Sequence, residues 1–157
     1  MNNKSNMLAE AGIIAALYVI LTEISATLGL ASGPIQLRLS EALCVLAMFT
    51  PAAIPGLTVG CLLGNVLSGC AVLDIVFGSL ATLLGAIGSF ALKKRKIWAI
   101  AAPILSNTVI IPLVLKFEYG LNQGLLVLAL GVFAGEFITA GLLGQLVMKT
   151  YNKITLK

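Results

Sequence analysis

The chain contains no histidine, and only 10% of its 157 residues are charged. The missing histidine removes the side chain most used for proton relay near neutral pH and the commonest transition-metal ligand. The charge content is less than half of the ~25% typical of a soluble domain. Cysteine is scarce and scattered. Cys44, Cys61 and Cys70 lie in apolar stretches without C-x-x-C spacing, which is neither a disulfide framework nor a zinc site. They read as small buried hydrophobes. Aromatic residues make up only 6%.

What fills the chain is apolar: 59% of residues are hydrophobic and the mean hydropathy is +1.07. A membrane-spanning helix uses about 20 residues, so a chain of this length holds at most about six or seven spans and no soluble domain. A nucleotide-binding or catalytic domain of ordinary size is excluded, and no nucleophile–base pair or metal set is present. A non-enzyme is expected, with no cofactor of its own. Any ATP-driven work falls to other subunits.

Turn residues and charges divide the chain into six apolar segments, at about 7–28, 40–50, 54–68, 74–92, 97–115 and 124–148. The expected fold is a single all-α integral membrane domain over 1–157, a compact bundle of six transmembrane helices. The second and third segments are short for independent spans; they form one helical hairpin or extend into their flanks. Lys and Arg in short loops set the orientation. With both termini inside, Lys4, Lys93, Lys94, Arg95, Lys96, Lys149, Lys153 and Lys157 are cytoplasmic, and only Arg38 and Lys116 lie outside. The N-in, C-in reading therefore accounts for most of the net charge of +4 without an anionic partner, nucleic acid included. Glu10 and Glu23 interrupt the first run, which argues against a cleaved leader. Trp98 reads as an interfacial anchor beside the basic run Lys93–Lys96, which also suits contact with anionic lipid.

Helices in a bilayer associate through small residues. Gly56, Gly60, Gly64 and Ser68 share one face of the third segment, and Gly78, Thr82, Gly85 and Ser89 one face of the fourth. Gly131, Gly135, Ala140 and Gly144 mark the sixth. All three read as packing within the chain. The small face of the first segment, Gly12 and Ala16 with Ala15 beside them, is open to a second reading as a dock for another helix.

Ionisable groups inside spans are expensive, about 2.5–3.5 kcal/mol each at the centre on the insertion scale, and mark function. Glu136 and Asn107 fall near mid-membrane. Asp74, Asn65, Glu41, Gln36, Arg38, Glu118, Tyr119 and Glu23 fall toward the outer side, and Glu10 at the inner face. The polar set describes a pocket open to the outside, not a continuous channel. Structural alternatives stand beside the functional ones: Glu136 as an acid pinning two helices, Arg38 with Glu41 as a local ion pair, Ser40 and Asp74 as helix N-caps.

Several stretches together carry a resemblance. Gly33-Pro-Ile-Gln36-Leu-Arg38-Leu-Ser40-Glu41-Ala-Leu43, Phe49-Thr-Pro51-Ala-Ala-Ile-Pro55-Gly56-Leu, the Gly60…Gly64-Asn65 face and Asp74-Ile-Val-Phe-Gly78-Ser-Leu-Ala-Thr82-Leu resemble the QueT family over nearly the whole chain. These are the proposed queuosine-precursor subunits of energy-coupling factor (ECF) transporters. The resemblance implies a substrate-capture subunit, or S component, in the plasma membrane of a bacterium. Such a subunit docks on a transmembrane coupling protein that carries two ATPases. The dock implied is Gly12, Ala15 and Ala16, where the superfamily pattern is Ala-x-x-x-Ala.

The implied ligand is a 7-deazaguanine, in its 7-cyano or 7-aminomethyl form. Its adjacent N–H donors suit a carboxylate, so Glu136 or Asp74 is expected on that edge. Asn107 is expected near the acceptor edge, with Asn65 in the same polar set. Gln36 and Arg38 would close the lid, and Glu118 or Glu41 would meet an aminomethyl cation. Phe133 and Tyr119 are the expected stacking partners. The alternatives are an S component for another vitamin-like ligand and a stand-alone carrier coupled to protons through Glu136.

Overall fold

A computed structural model of the chain describes residues 3–31 and 35–155. Ser32, Gly33 and Pro34 of the first loop, and the tail charge Lys157, lie outside the described residues. Among the described residues every regular element is helical: α1 (Asn3–Thr27), a 3₁₀ helix (Leu39–Met48), α2 (Ala53–Leu67), α3 (Val72–Ala91), α4 (Lys96–Phe117), α5 (Leu125–Glu136), a π-helical segment (Phe137–Leu143) and α6 (Gly144–Thr155). The last three run on as one helix. Four helices, Lys4–Thr27, Val72–Ala91, Lys96–Phe117 and Leu125–Lys153, are long and apolar enough to cross a membrane. Their outward faces carry large apolar side chains such as Ile13, Val109 and Leu126, the pattern expected of helices solvated by lipid rather than water.

The small-residue stripes are the contact faces. A Cβ at Gly56 would meet Ala11 O at 2.7 Å, one at Gly60 would meet Tyr18 Cβ at 2.7 Å, and one at Gly64 would meet Thr22 at 3.1 Å. Contacts that advance together along both helices make α1 and α2 parallel neighbours in near backbone contact. Ser68 continues the stripe by donating to Glu23 Oε1 at 2.7 Å. On the opposite side α3 and α4 run antiparallel, with Gly85 against Pro103 and Gly88 against Ala102. Pro103 cannot donate to the carbonyl of Ala99 one turn back. Ser89 of α3 supplies the missing bond, donating to Ala99 O at 2.7 Å, which is how proline is tolerated inside a membrane helix.

The 3₁₀ helix forms the middle of the bundle. Residues 40–47 are all buried, and it packs against α1, α2, α3, α4, the π segment and α6. Its ten residues at ~2.0 Å rise cover about 20 Å, where an α-helix would cover about 15 Å. Neither Ser40 nor Asp74 is an N-cap. Arg38 and Ala71 occupy those positions without side-chain caps. Ser40 Oγ instead accepts from Thr22 Oγ1 at 2.9 Å, which ties the start of the 3₁₀ helix to α1.

Candidate functional site

The described parts of the first loop, 28–31 and 35–38, gather with the loops at 68–71 and 118–124 at one end of the bundle, and the run Lys93–Lys96 lies at the other. At the loop end a cavity of about 330 Å³ opens among α1, α3, α4 and the loops. Its polar wall is Thr22, Gln36, Arg38, Ser68, Asp74 and Tyr119. Each is delivered by a helix end or a loop: the C-terminal half of α1, the segment entering the 3₁₀ helix, the turn after α2, the first turn of α3 and the loop after α4.

Arg38 organises the wall. Its Nη2 donates to Asn65 Oδ1, and Asn65 Nδ2 donates to the main-chain oxygen of Asp74 at 3.1 Å. Gly78 leaves room for this junction, since a Cβ there would lie 3.0 Å from Asn65 Nδ2 and 3.2 Å from Asp74 Oδ1. Tyr119 donates to Asp74 Oδ2 at 3.0 Å and accepts from the Ala71 amide at 3.2 Å. Burial pushes the Tyr119 hydroxyl up to about 12, with the Asp74 carboxylate adding to the shift, so it stays protonated and donating at neutral pH.

Two further polar clusters lie behind the wall. Glu41, fully buried, accepts from the Tyr18 hydroxyl and from Cys44 Sγ at 3.1 Å. Asn107 Nδ2 donates to Glu136 Oε1 at 2.8 Å, linking α4 to the final helix one residue before the π segment. Arg38 Nε and Glu136 Oε2 are buried without a hydrogen-bond partner. The Arg38 charge acts on both Asp74 and Glu41 and reaches Glu136.

The structure thus gathers Gln36, Arg38 and Asp74 on the cavity wall and sets Asn65 directly behind them. Glu41 and the Asn107–Glu136 pair lie deeper, off the lining. Glu118 is exposed and stands apart from the cavity. Phe133 stacks on Phe137 at 6.2 Å between ring centroids and faces a different groove, which leaves Tyr119 as the aromatic side chain on the cavity. Arg38 and Glu41 do not pair locally; each is bonded elsewhere. Of the docking residues, Gly12 and Ala16 are exposed, whereas Ala15 is buried against Gly60 and belongs to the α1–α2 contact.

Tyr18 and Thr22 were not among the expected site residues, and Ser68 was expected only on a packing face. The signal for the first two was present: Tyr18, Thr22 and Ser25 recur at i, i+4, i+7 along an otherwise apolar helix, and all three are buried toward the 3₁₀ helix.

A family profile described as QueT transporter matches residues 8–153. The chain belongs to the QueT transporter family. The queuosine precursor transporter QueT of Lactococcus lactis subsp. cremoris (strain MG1363) is 34% identical, over 92% of this chain and 94% of that protein. No solved structure matches. Membership makes the chain a transporter and not an enzyme, and it sets the loop-end cavity among membrane helices in a protein whose work is to move a small molecule.

Proposed function

We propose that this chain is the substrate-capture subunit of an ECF importer and binds a 7-deazaguanine queuosine precursor in the loop-end cavity. One observation carries the reading: a cavity of about 330 Å³ whose wall sets a guanidinium, Arg38, against a carboxylate, Asp74. That size is at the lower end of small-molecule sites, suited to a fused bicyclic base. Asp74 accepts from the adjacent N–H donors of the guanine edge, Arg38 or Gln36 donates to its carbonyl oxygen, and Tyr119 flanks the ring.

In this reading the bundle crosses the plasma membrane six times. Both termini are cytoplasmic and the loop end faces outward, as the Lys and Arg distribution indicates. Gly12 and Ala16 meet the transmembrane coupling subunit, and two ATPase subunits hydrolyse ATP. The name of the Lactococcus relative supports the cargo class.

The unpaired Glu136 carboxyl oxygen favours a second reading, a stand-alone carrier coupled to protons. The two separate in liposomes. The purified chain alone should bind 7-aminomethyl-7-deazaguanine saturably and accumulate none of it. Proton-driven accumulation without any ATPase would establish the carrier. A thiamine- or flavin-like mass co-purifying with the chain would replace the deazaguanine by another vitamin-like ligand.

A further inference from the structure

A second groove lies far from the substrate cavity, between α4 and the final helix. Its volume is about 310 Å³, and its walls are apolar except for Gln145. On α4 it runs from Ile97 to Leu105, and on the final helix from Phe133 to Gln145. Eight helical steps on α4 cover about 12 Å and the twelve on the final helix about 18 Å at most, so the groove reaches from the basic end to about the middle of a ~30 Å hydrocarbon core. The width is opened locally: the α-helix is interrupted over Phe137–Leu143, and within that stretch the wall carries Gly141 in place of a side chain.

The end of the groove nearest the basic run is strongly cationic. Lys96 precedes Ile97 and lies one turn before Ile100, on the lining face of α4. Lys149 follows Gln145 by four residues in α6 and so continues the lining face of that helix. Lys94 and Arg95 stand beside them in the interhelical turn, and all four side chains are exposed. Among the described residues no acidic side chain answers them. Glu136 turns inward to Asn107, Glu10 accepts from Thr50 at 3.0 Å, and the remaining four acids lie away from this groove.

We infer that this groove holds one acyl chain of an anionic phospholipid, with its phosphate headgroup between Lys96 and Lys149. An apolar slot that reaches from one face to about mid-membrane matches the chain, and an uncompensated basic mouth at its end matches the phosphate. Basic pockets between membrane helices bind anionic headgroups in this way, and each cation near the surface is worth about fivefold in affinity. A zwitterionic lipid offers the same chain and loses most of the headgroup attraction.

The test uses the full chain in nanodiscs of equal phosphatidylglycerol and phosphatidylcholine with matched acyl chains. Retained lipid is read by native mass spectrometry after release. The wild type should retain phosphatidylglycerol over phosphatidylcholine by at least about tenfold. The double variant Lys96→Gln with Lys149→Gln should bring the ratio close to one while lipid remains bound. Ala101→Phe, which fills the slot, should lose both lipids.

Binding of 7-aminomethyl-7-deazaguanine, read in parallel, reports on the distant cavity. Intact binding with altered lipid retention assigns the effect to the groove. Inorganic phosphate alone should give no thermal stabilisation; if it does, the basic mouth is a free anion site and the lipid assignment is wrong. An unselective wild type, or a ratio indifferent to the two lysines, overturns it as well. So does loss of coupling-subunit binding in Ala101→Phe when lipid retention is unchanged, since that outcome would make the groove a protein interface.

Discussion

Replacing Gly135 by alanine adds one methyl group at the place where the first loop lies on the final helix. An ideal Cβ at this position falls 2.0 Å from the main-chain oxygen of Gln36 and 2.9 Å from its carbonyl carbon. Ordinary contact begins at 3.4 Å, so the loop must retreat by roughly 1.4 Å or deform, because the opposing atoms are backbone and cannot rotate away. The displaced segment carries Gln36 and, two residues on, Arg38, whose guanidinium holds Asn65 and forms the cavity wall. Overpacking of this kind costs about 1–3 kcal/mol. If the bound state requires the loop in place, that corresponds to a loss of affinity of about 5- to 150-fold.

The control lies on the same helix. A Cβ at Gly141 meets its nearest atom at 3.6 Å, so Gly141→Ala should bind like the wild type. The assay is isothermal titration of the detergent-solubilised chain with 7-aminomethyl-7-deazaguanine, beside circular dichroism to confirm retained helicity. Wild-type affinity in Gly135→Ala would refute the claim that loop seating on the final helix builds the site. An equal loss in Gly141→Ala would show that the final helix tolerates no added methyl anywhere, and the loop would not be the reason.

Gly60→Leu should prevent stable assembly, since even its Cβ would lie 2.7 Å from Tyr18. A Cβ at Gly12 meets nothing within 4 Å; Gly12→Leu should melt and bind ligand like the wild type and lose only partner-dependent uptake, checked by scanning fluorimetry, titration and transport in the reconstituted complex. Tyr18→Phe leaves the buried Glu41 carboxyl short of one donor and should lower stability by ~1–3 kcal/mol, read as a fall in thermal midpoint; an unchanged midpoint would mean the bond contributes nothing. With the Asp74 carboxylate on the cavity wall, the 7-aminomethyl form should bind more tightly than the uncharged 7-cyano form at pH 7, and competitive titration showing the reverse order would remove the electrostatic argument.

The four long helices were legible in the chain because their signal is local. An unbroken apolar run must be solvated by lipid or by other helices, and it needs no knowledge of its neighbours to be recognised. The expected segments at 74–92 and 97–115 agree with α3 and α4 to within about two residues. The glycine stripes were legible for the same reason, since spacing alone puts Gly56, Gly60 and Gly64 on one face. The second segment was not. Residues 39–48 carry nothing in composition that distinguishes a 3₁₀ helix from an α-helix; the stretched geometry belongs to a short segment enclosed by six others. The π-helical stretch after Glu136 is equally silent in sequence.

The candidate site divides along the same line. Which residues are costly in an apolar setting follows from residue type, and that identified Arg38, Glu41, Asn65, Asp74, Asn107 and Glu136 as a polar set. Which of them share a space does not follow, because depth along a helix says nothing about azimuth relative to five other helices. Packing placed Arg38 and Asp74 on one cavity, drew Glu41 to Tyr18, paired Glu136 with Asn107 and left Glu118 exposed. By itself the sequence determined a helical protein built to lie in a membrane, because apolar length and charge count are properties of the chain. Only the tertiary structure decided which polar groups meet, because in a bundle held by close contact of small residues each side chain's partner is set by the register of the helices around it.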